Sequence, residues 1–218
     1  LSSGQVLQCA YTFDKALTVV MEMADSLALD LVEKDLVTAQ LTLTVGYDSE
    51  NLANPAICSR YTGRITTDHF GRPTPYHAHG TMNFDRNTSS SRLIRRYAEA
   101  LFRRIADPLL LVRRLTLSAN RLQPDGVAAA CPQAVQLELF TDYEKLSRRR
   151  NAEAVEFARE RRRQDAIISL RQKFGKNAVL SALQYKCAET EIISFFAAIQ
   201  YILRSQPITF AEFVAFAD

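Results

Sequence analysis

Residues 37–47, Val-Thr-Ala-Gln-Leu-Thr-Leu-Thr-Val-Gly-Tyr, alternate between apolar and polar side chains. Val37, Ala39, Leu41, Leu43 and Val45 fall on one side, and Thr38, Gln40, Thr42 and Thr44 on the other. Extended chain is the conformation whose side chains repeat every two residues, so the pattern predicts a strand with one buried and one polar face. That strand needs something apolar to cover one side only.

Two stretches supply the cover. Over residues 13–33, Phe13, Ala16, Leu17, Val20, Met23, Ala24, Leu27, Ala28 and Leu31 recur at helical spacing, with Thr12 in the N-cap position. A second stripe, Leu93, Ile94, Tyr97, Ala98, Leu101, Phe102 and Ile105, predicts a helix that starts at Asn87-Thr88-Ser89 and is ended by Asp107-Pro108. Further strands are predicted at residues 5–11 and 110–121. In the latter, Leu111, Leu115, Leu117 and Ala119 face the core, and Arg114, Thr116, Ser118 and Asn120 face away. Residues 48–58 read as a loop. Residues 60–68 and 75–84 read as a hairpin turning at Phe70-Gly71-Arg72-Pro73. There Thr62, Arg64 and Thr66 share one face, as do His77, His79, Thr81 and Asn83. The order is strand, helix, strand, hairpin region, helix, strand. This predicts an α+β domain with an antiparallel-rich open sheet and two helices on one face. The uncovered face carries Thr, Gln, His, Asn, Ser and Arg and few acids, a composition suited to hydrogen bonds with a phosphate backbone.

Beyond this domain, residues 1–122, the chain changes character. Residues 123–135 contain Pro124, Gly126 and a run of alanines and read as a linker. Residues 136–140, Gln-Leu-Glu-Leu-Phe, form a short peptide with a polar first residue and apolar end residues. Such a peptide suits anchoring in a partner's pocket, with Leu139 and Phe140 buried there. The plainer alternative packs Leu137, Leu139 and Phe140 on the domain itself. Residues 141–183 are a charged helical segment, broken at Gly175, that projects or packs along one narrow stripe. Residues 184–218 are an apolar, mainly helical tail that needs burial somewhere.

Net charge is only +3, so distribution matters more than balance. The cations are mostly arginines, in the groups Arg95-Arg96, Arg103-Arg104, Arg113-Arg114, 148–150 and 161–163. The four cysteines, Cys9, Cys58, Cys131 and Cys187, are isolated, which predicts free thiols in a reducing compartment. No signal peptide and no run of roughly 20 apolar residues is visible, which predicts a cytoplasmic protein that does not cross a membrane. The chain opens at Leu1, not Met, and is expected to be a piece of something larger.

In order and spacing, these stretches resemble the C-terminal part of bacterial Y-family (UmuC/DinB-like) translesion DNA polymerases, over roughly residues 2–183. The resemblance rests on Ser2-Ser3-Gly4-Gln5-Val6-Leu7, Tyr11-Thr12-Phe13, Leu36-Val37-Thr38 through Asp48, and His77-Ala78-His79-Gly80-Thr81 leading into Asn87-Thr88-Ser89-Ser90. It continues through residues 111–120, then Gln136 to Phe140 with Thr141-Asp142-Tyr143-Glu144, and finally Lys173-Phe174-Gly175-Lys176-Asn177-Ala178. It implies a little-finger domain that holds the primer–template backbone with its sheet during lesion bypass, DNA repair and the SOS response. It implies the catalytic core of the same polymerase and the bacterial sliding clamp as partners.

By position the resemblance assigns DNA contacts to Arg113, Arg114 and Ser118, then to His79 and Thr81. The open-face reading adds Thr42, Thr44, Arg64, Thr116 and Asn120. Gln136, Leu137, Leu139 and Phe140 match the clamp-binding motif. No cluster of carboxylates suits the two metal ions, about 3.5–4 Å apart, that phosphoryl transfer needs. The chain is therefore expected to have no catalytic residues, no metal and no cofactor of its own, although the parent polymerase would use Mg. Two other readings stand beside this one. The first is an α+β interaction module without nucleic acid. The second is an enzyme with a metal on His77 and His79, to which Asp68 and His69 come near across the hairpin.

Overall fold

A computed structural model describes residues 1–125, 143–175 and 179 of the chain. The linker beyond residue 125, the peptide at residues 136–140 and the apolar tail lie outside the described residues. Element order is β1 (Ser2–Tyr11), α1 (Phe13–Glu33), β2 (Leu36–Tyr47), α2 (Glu50–Ala53), α3 (Pro55–Cys58), β3 (Ile65–Thr67), β4 (Pro73–Pro75), β5 (Ala78–Thr88), α4 (Ser91–Ile105), β6 (Val112–Asn120), β7 (Gln123–Pro124) and α5 (Tyr143–Phe174). The fold is α+β. The main sheet runs β1-β6-β2-β5, antiparallel throughout, with β7 paired to the start of β2.

Both α1 and α4 lie on one face of the sheet. Val20, Leu27 and Leu31 of α1, Ile94, Leu101 and Phe102 of α4, and Leu41, Leu43, Val45, Leu115 and Leu117 of the strands are all fully buried. Each such side chain contributes about 1.5–3 kcal/mol by leaving water. Phe13 packs on Phe102 at 4.8 Å between ring centroids, and Phe84 stacks on Tyr97 at 4.2 Å, tying α1, α4 and β5 together. Under the C-terminal end of α4 the fit needs a glycine. A Cβ on Gly80 would lie 2.6 Å from Ile105 Cγ2 and 3.1 Å from Leu101 Cδ1.

Several local expectations change. The predicted hairpin exists, but its strands are only three residues each, β3 against β4. The stretch expected as its second arm instead starts β5, which pairs with β2 and belongs to the main sheet. The sequence cue, a turn around Gly71, marks the small hairpin correctly and says nothing of the longer pairing partner. Residues 48–58 hold two one-turn helices, pinned by Asn51. This buried side chain donates to the carbonyls of Asp48 and Leu111 and accepts from Leu111 N–H. The second large helix starts at Ser91, because β5 continues through Thr88. Gln123 and Pro124, expected in a linker, form β7. In β6 the core-facing residue is Val112, not Leu111. The ladder pairs Val112 with Tyr47 and Arg114 with Gly46, so Arg113 is an extra residue, and this β-bulge shifts the alternation by one.

The charged helix α5 packs on the domain through polar groups. Glu160 and Gln164 are 9% and 5% exposed. Ser90 Oγ donates to Glu160 Oε2 at 2.6 Å, and Arg92 N–H donates to Oε1 at 2.9 Å, so the carboxylate sits on the N-terminus of α4. Gln164 donates to Ser89 O and Ser91 Oγ. Arg161 reaches Asp35 at 3.1 Å and Asp125 at 3.4 Å, on either side of the β2–β7 pairing. The helix ends at Gly175, whose φ of +93° a residue with a Cβ rarely adopts.

Candidate nucleic-acid interface

The face of the sheet away from α1 and α4 is built from rows that cross the strands. Strand register aligns Ser2, Ser118, Thr42 and Thr81 in one row and Gly4, Thr116, Thr44 and His79 in the next. A third row holds Asn120, Gln40 and Asn83, and a fourth holds Val6, Arg114 and Gly46. The rows arise because polar residues occupy every second position in β2, β5 and β6, and antiparallel pairing puts opposite positions side by side.

Neighbours within and between rows are hydrogen-bonded. Ser2 Oγ and Ser118 Oγ are 2.8 Å apart, and Thr42 Oγ1 and Thr81 Oγ1 are 3.1 Å apart. Asn120 Nδ2 donates to Thr42 Oγ1 at 2.8 Å, and Gln40 Nε2 donates to Asn83 Oδ1 at 2.8 Å. Thr44 Oγ1 lies 2.9 Å from His79 Nδ1. These contacts hold the side chains in fixed rotamers at the surface. None of the residues in the four rows is an Asp or Glu. The face therefore offers hydroxyl, amide and imidazole groups and a guanidinium, with no fixed negative charge in its own rows to repel an anion.

Of the expected site residues, Thr42, Thr44, His79, Thr81, Thr116, Ser118, Asn120 and Arg114 come together on this face. Arg114 passes over Gly46, where a Cβ would sit 3.2 Å from its own Cβ, and it has no ion-pair partner among the described residues. Arg113 sits at the bulge and turns back on the protein, donating to Gln8 O at 2.9 Å and lying 3.7 Å from Asp48 Oδ2. Arg64 lies outside the main sheet, ahead of β3, with its guanidinium 4.7 Å from the centre of the Tyr76 ring.

Sequence reasoning missed three participants. Gln40 and Asn83 had been placed on polar faces, and only their pairing reveals them as one row. Ser2 was missed because the first strand was expected to start at Gln5. His77 and His79 do not share a site. His77 stacks on Tyr76 at 4.2 Å, whereas His79 bonds Thr44. No three His, Cys, Asp or Glu among the described residues are placed to hold a metal ion.

Residues 4–139 match the impB/mucB/samB family C-terminal domain, more than half of the chain. The chain belongs to this family, the little-finger domain of Y-family polymerases. Such a domain has a DNA-binding role in translesion synthesis and works beside the polymerase core. No curated protein matches the chain. No helix among the described residues is long and apolar enough to cross a membrane.

Proposed function

We propose that the four-row face grips the backbone of primer–template duplex. In this reading Arg114 is the principal phosphate contact, and Ser118, Thr116, Thr42, Thr44, Thr81, His79 and Asn120 supply short hydrogen bonds. The observation that carries it is a fixed hydroxyl and amide surface whose rows hold no carboxylate, in a chain of this family. Contacts of this kind set position and affinity and carry no sequence preference. Arg113 joins only after releasing Gln8 and Asp48, and Arg64 would act outside the sheet.

The peptide Gln136, Leu137, Leu139 and Phe140 tethers the polymerase to the bacterial sliding clamp. Its support is the sequence motif, preceded by a linker. A tether raises the local concentration of a weak DNA binder at the primer end. In this reading the Mg-dependent phosphoryl transfer is carried out by the catalytic core of the same polymerase, in the cytoplasm.

Two binding measurements on the whole chain test the reading. Duplex binding should weaken in Arg114→Ala, and binding to a bacterial sliding clamp should be lost in Gln136→Ala/Leu139→Ala/Phe140→Ala. Duplex affinity untouched by Arg114→Ala would sink the gripping face. Clamp affinity untouched by the triple substitution would return the peptide to core packing.

A further inference from the structure

The lobe at residues 60–77, which holds β3 and β4, differs chemically from the sheet face. Its tip exposes Phe70 to 79% of its possible area, although exposed phenylalanine is the kind of surface a domain usually hides. The tip is nonetheless braced by hydrogen bonds. Asp68 Oδ1 accepts from the N–H groups of both Phe70 and Arg72 at 2.9 Å, and its Oδ2 lies 2.7 Å from Arg72 Nη2. Gly71 supplies the positive φ of +76° that the turn needs. Arg72 also lies 5.3 Å from the Phe70 ring centre.

Behind the tip, Arg64 is held over Tyr76, and Tyr76 stacks on His77 immediately ahead of β5, whose first open-face residue is His79. Asp68 is the only acid between residues 60 and 77, and it is engaged by Arg72. Arg60 and Arg64 have no ion-pair partner among the described residues.

An exposed ring on a hydrogen-bonded turn, with Arg64 over Tyr76 at the other end of the same hairpin, matches an unpaired nucleic-acid strand. Duplex DNA shows phosphates but hides its base faces. A single strand shows both, and base stacking on aromatic side chains is the main sequence-tolerant way of holding one. The aromatic ring that the four rows of the sheet face carry is the His79 imidazole, and its Nδ1 is engaged by Thr44. Resting on the duplex-gripping reading above, we propose that the lobe is a second DNA contact. It takes unpaired template strand running beyond the duplex, with Phe70 stacking on a base at the tip and Arg64, at the hairpin's base, on a phosphate farther along the strand.

The test is fluorescence anisotropy with the whole chain and two DNAs of equal duplex length, one blunt and one with a single-stranded template overhang. The native chain should bind the overhang DNA about 5-fold or more tightly than the blunt one, the lower end of what one stacked base contributes. Phe70→Ala, at a solvent-exposed tip, should abolish that preference and leave blunt-duplex affinity unchanged. Arg64→Ala should reduce the preference in the same direction. Equal affinity of the native chain for both DNAs, or a preference that survives Phe70→Ala, overturns the lobe and leaves the sheet reading intact. Binding to neither DNA overturns both.

Discussion

Asp25 shows how one side chain couples the helical side of the domain to pH. It projects from α1 toward Arg95 of α4, 3.6 Å away, and near Glu160 of α5 and Glu22 of its own helix. Burial raises its pKa to about 6; Arg95 opposes this and Glu160 reinforces it. The folded protein thus holds a proton on Asp25 that the unfolded chain, with an ordinary carboxylate pKa near 3.9, has already lost. Between about pH 4 and pH 6 the folded state binds more protons. The contribution of Asp25 is therefore fully present below pH 4, falls through this window and is gone above it. After allowance for partial exposure, about 1–2 kcal/mol is at stake. Asp25→Asn loses the charge contact with Arg95 at every pH where Asp25 is ionised, but it removes the cost of burying that charge. Denaturant melts at pH 4.5 and 7.5 should show native stability dropping between them by more than the variant's does. Parallel curves would mean that Asp25 titrates as a solvated group.

At the scale of the element, α5 is the surprise. Its arginines and glutamates read as a solvated face, and its apolar positions are sparse, yet Glu160 and Gln164 anchor it to the N-terminus of α4. A carboxylate there accepts otherwise unpaired N–H groups and meets the positive end of the helix dipole. Glu160→Ala should cost about 1–3 kcal/mol, from the lost cap and the buried groups left without partners, and lower Tm by several degrees. Glu156→Ala, which breaks only the exposed pair with Arg92, should change stability by less than about 0.5 kcal/mol. Equal effects of the two would show that Glu160 is as solvated as Glu156. The helix bounds were legible: residues 13–33 for α1 and a stop at Gly175 for α5 follow from periodicity and a glycine. The docking of α5 was not, because its capping carboxylate lies 70 residues from the serine it meets. A bulge is similarly invisible. Nothing in Leu-Val-Arg-Arg-Leu says that Arg113 is the extra residue, and so Val112, not Leu111, came to face the core. The polar rows were half legible: alternation gave each strand's open side, and only the register showed which residues meet.

Over the whole molecule, the two sides of the sheet divide the work. Apolar burial and α5 lie on one, and the hydroxyl and amide rows on the other. If duplex binding runs through this second side, its affinity should fall linearly in log–log coordinates as salt rises, because each neutralised phosphate releases counterions. Arg114→Ala should make that slope shallower by about one, whatever the DNA sequence. An unchanged slope would move the phosphate contact elsewhere. The same rows bear on how a duplex would travel. Ser118, Thr42, Thr81 and Thr44 each have a partner within the protein, so a hydroxyl that loses an external acceptor falls back on a neighbour instead of being stranded. If the face grips duplex as proposed, the energy difference between one position of the duplex and the next would be small. It would then act as a low-friction bearing, over which DNA could advance one nucleotide at a time without first being released.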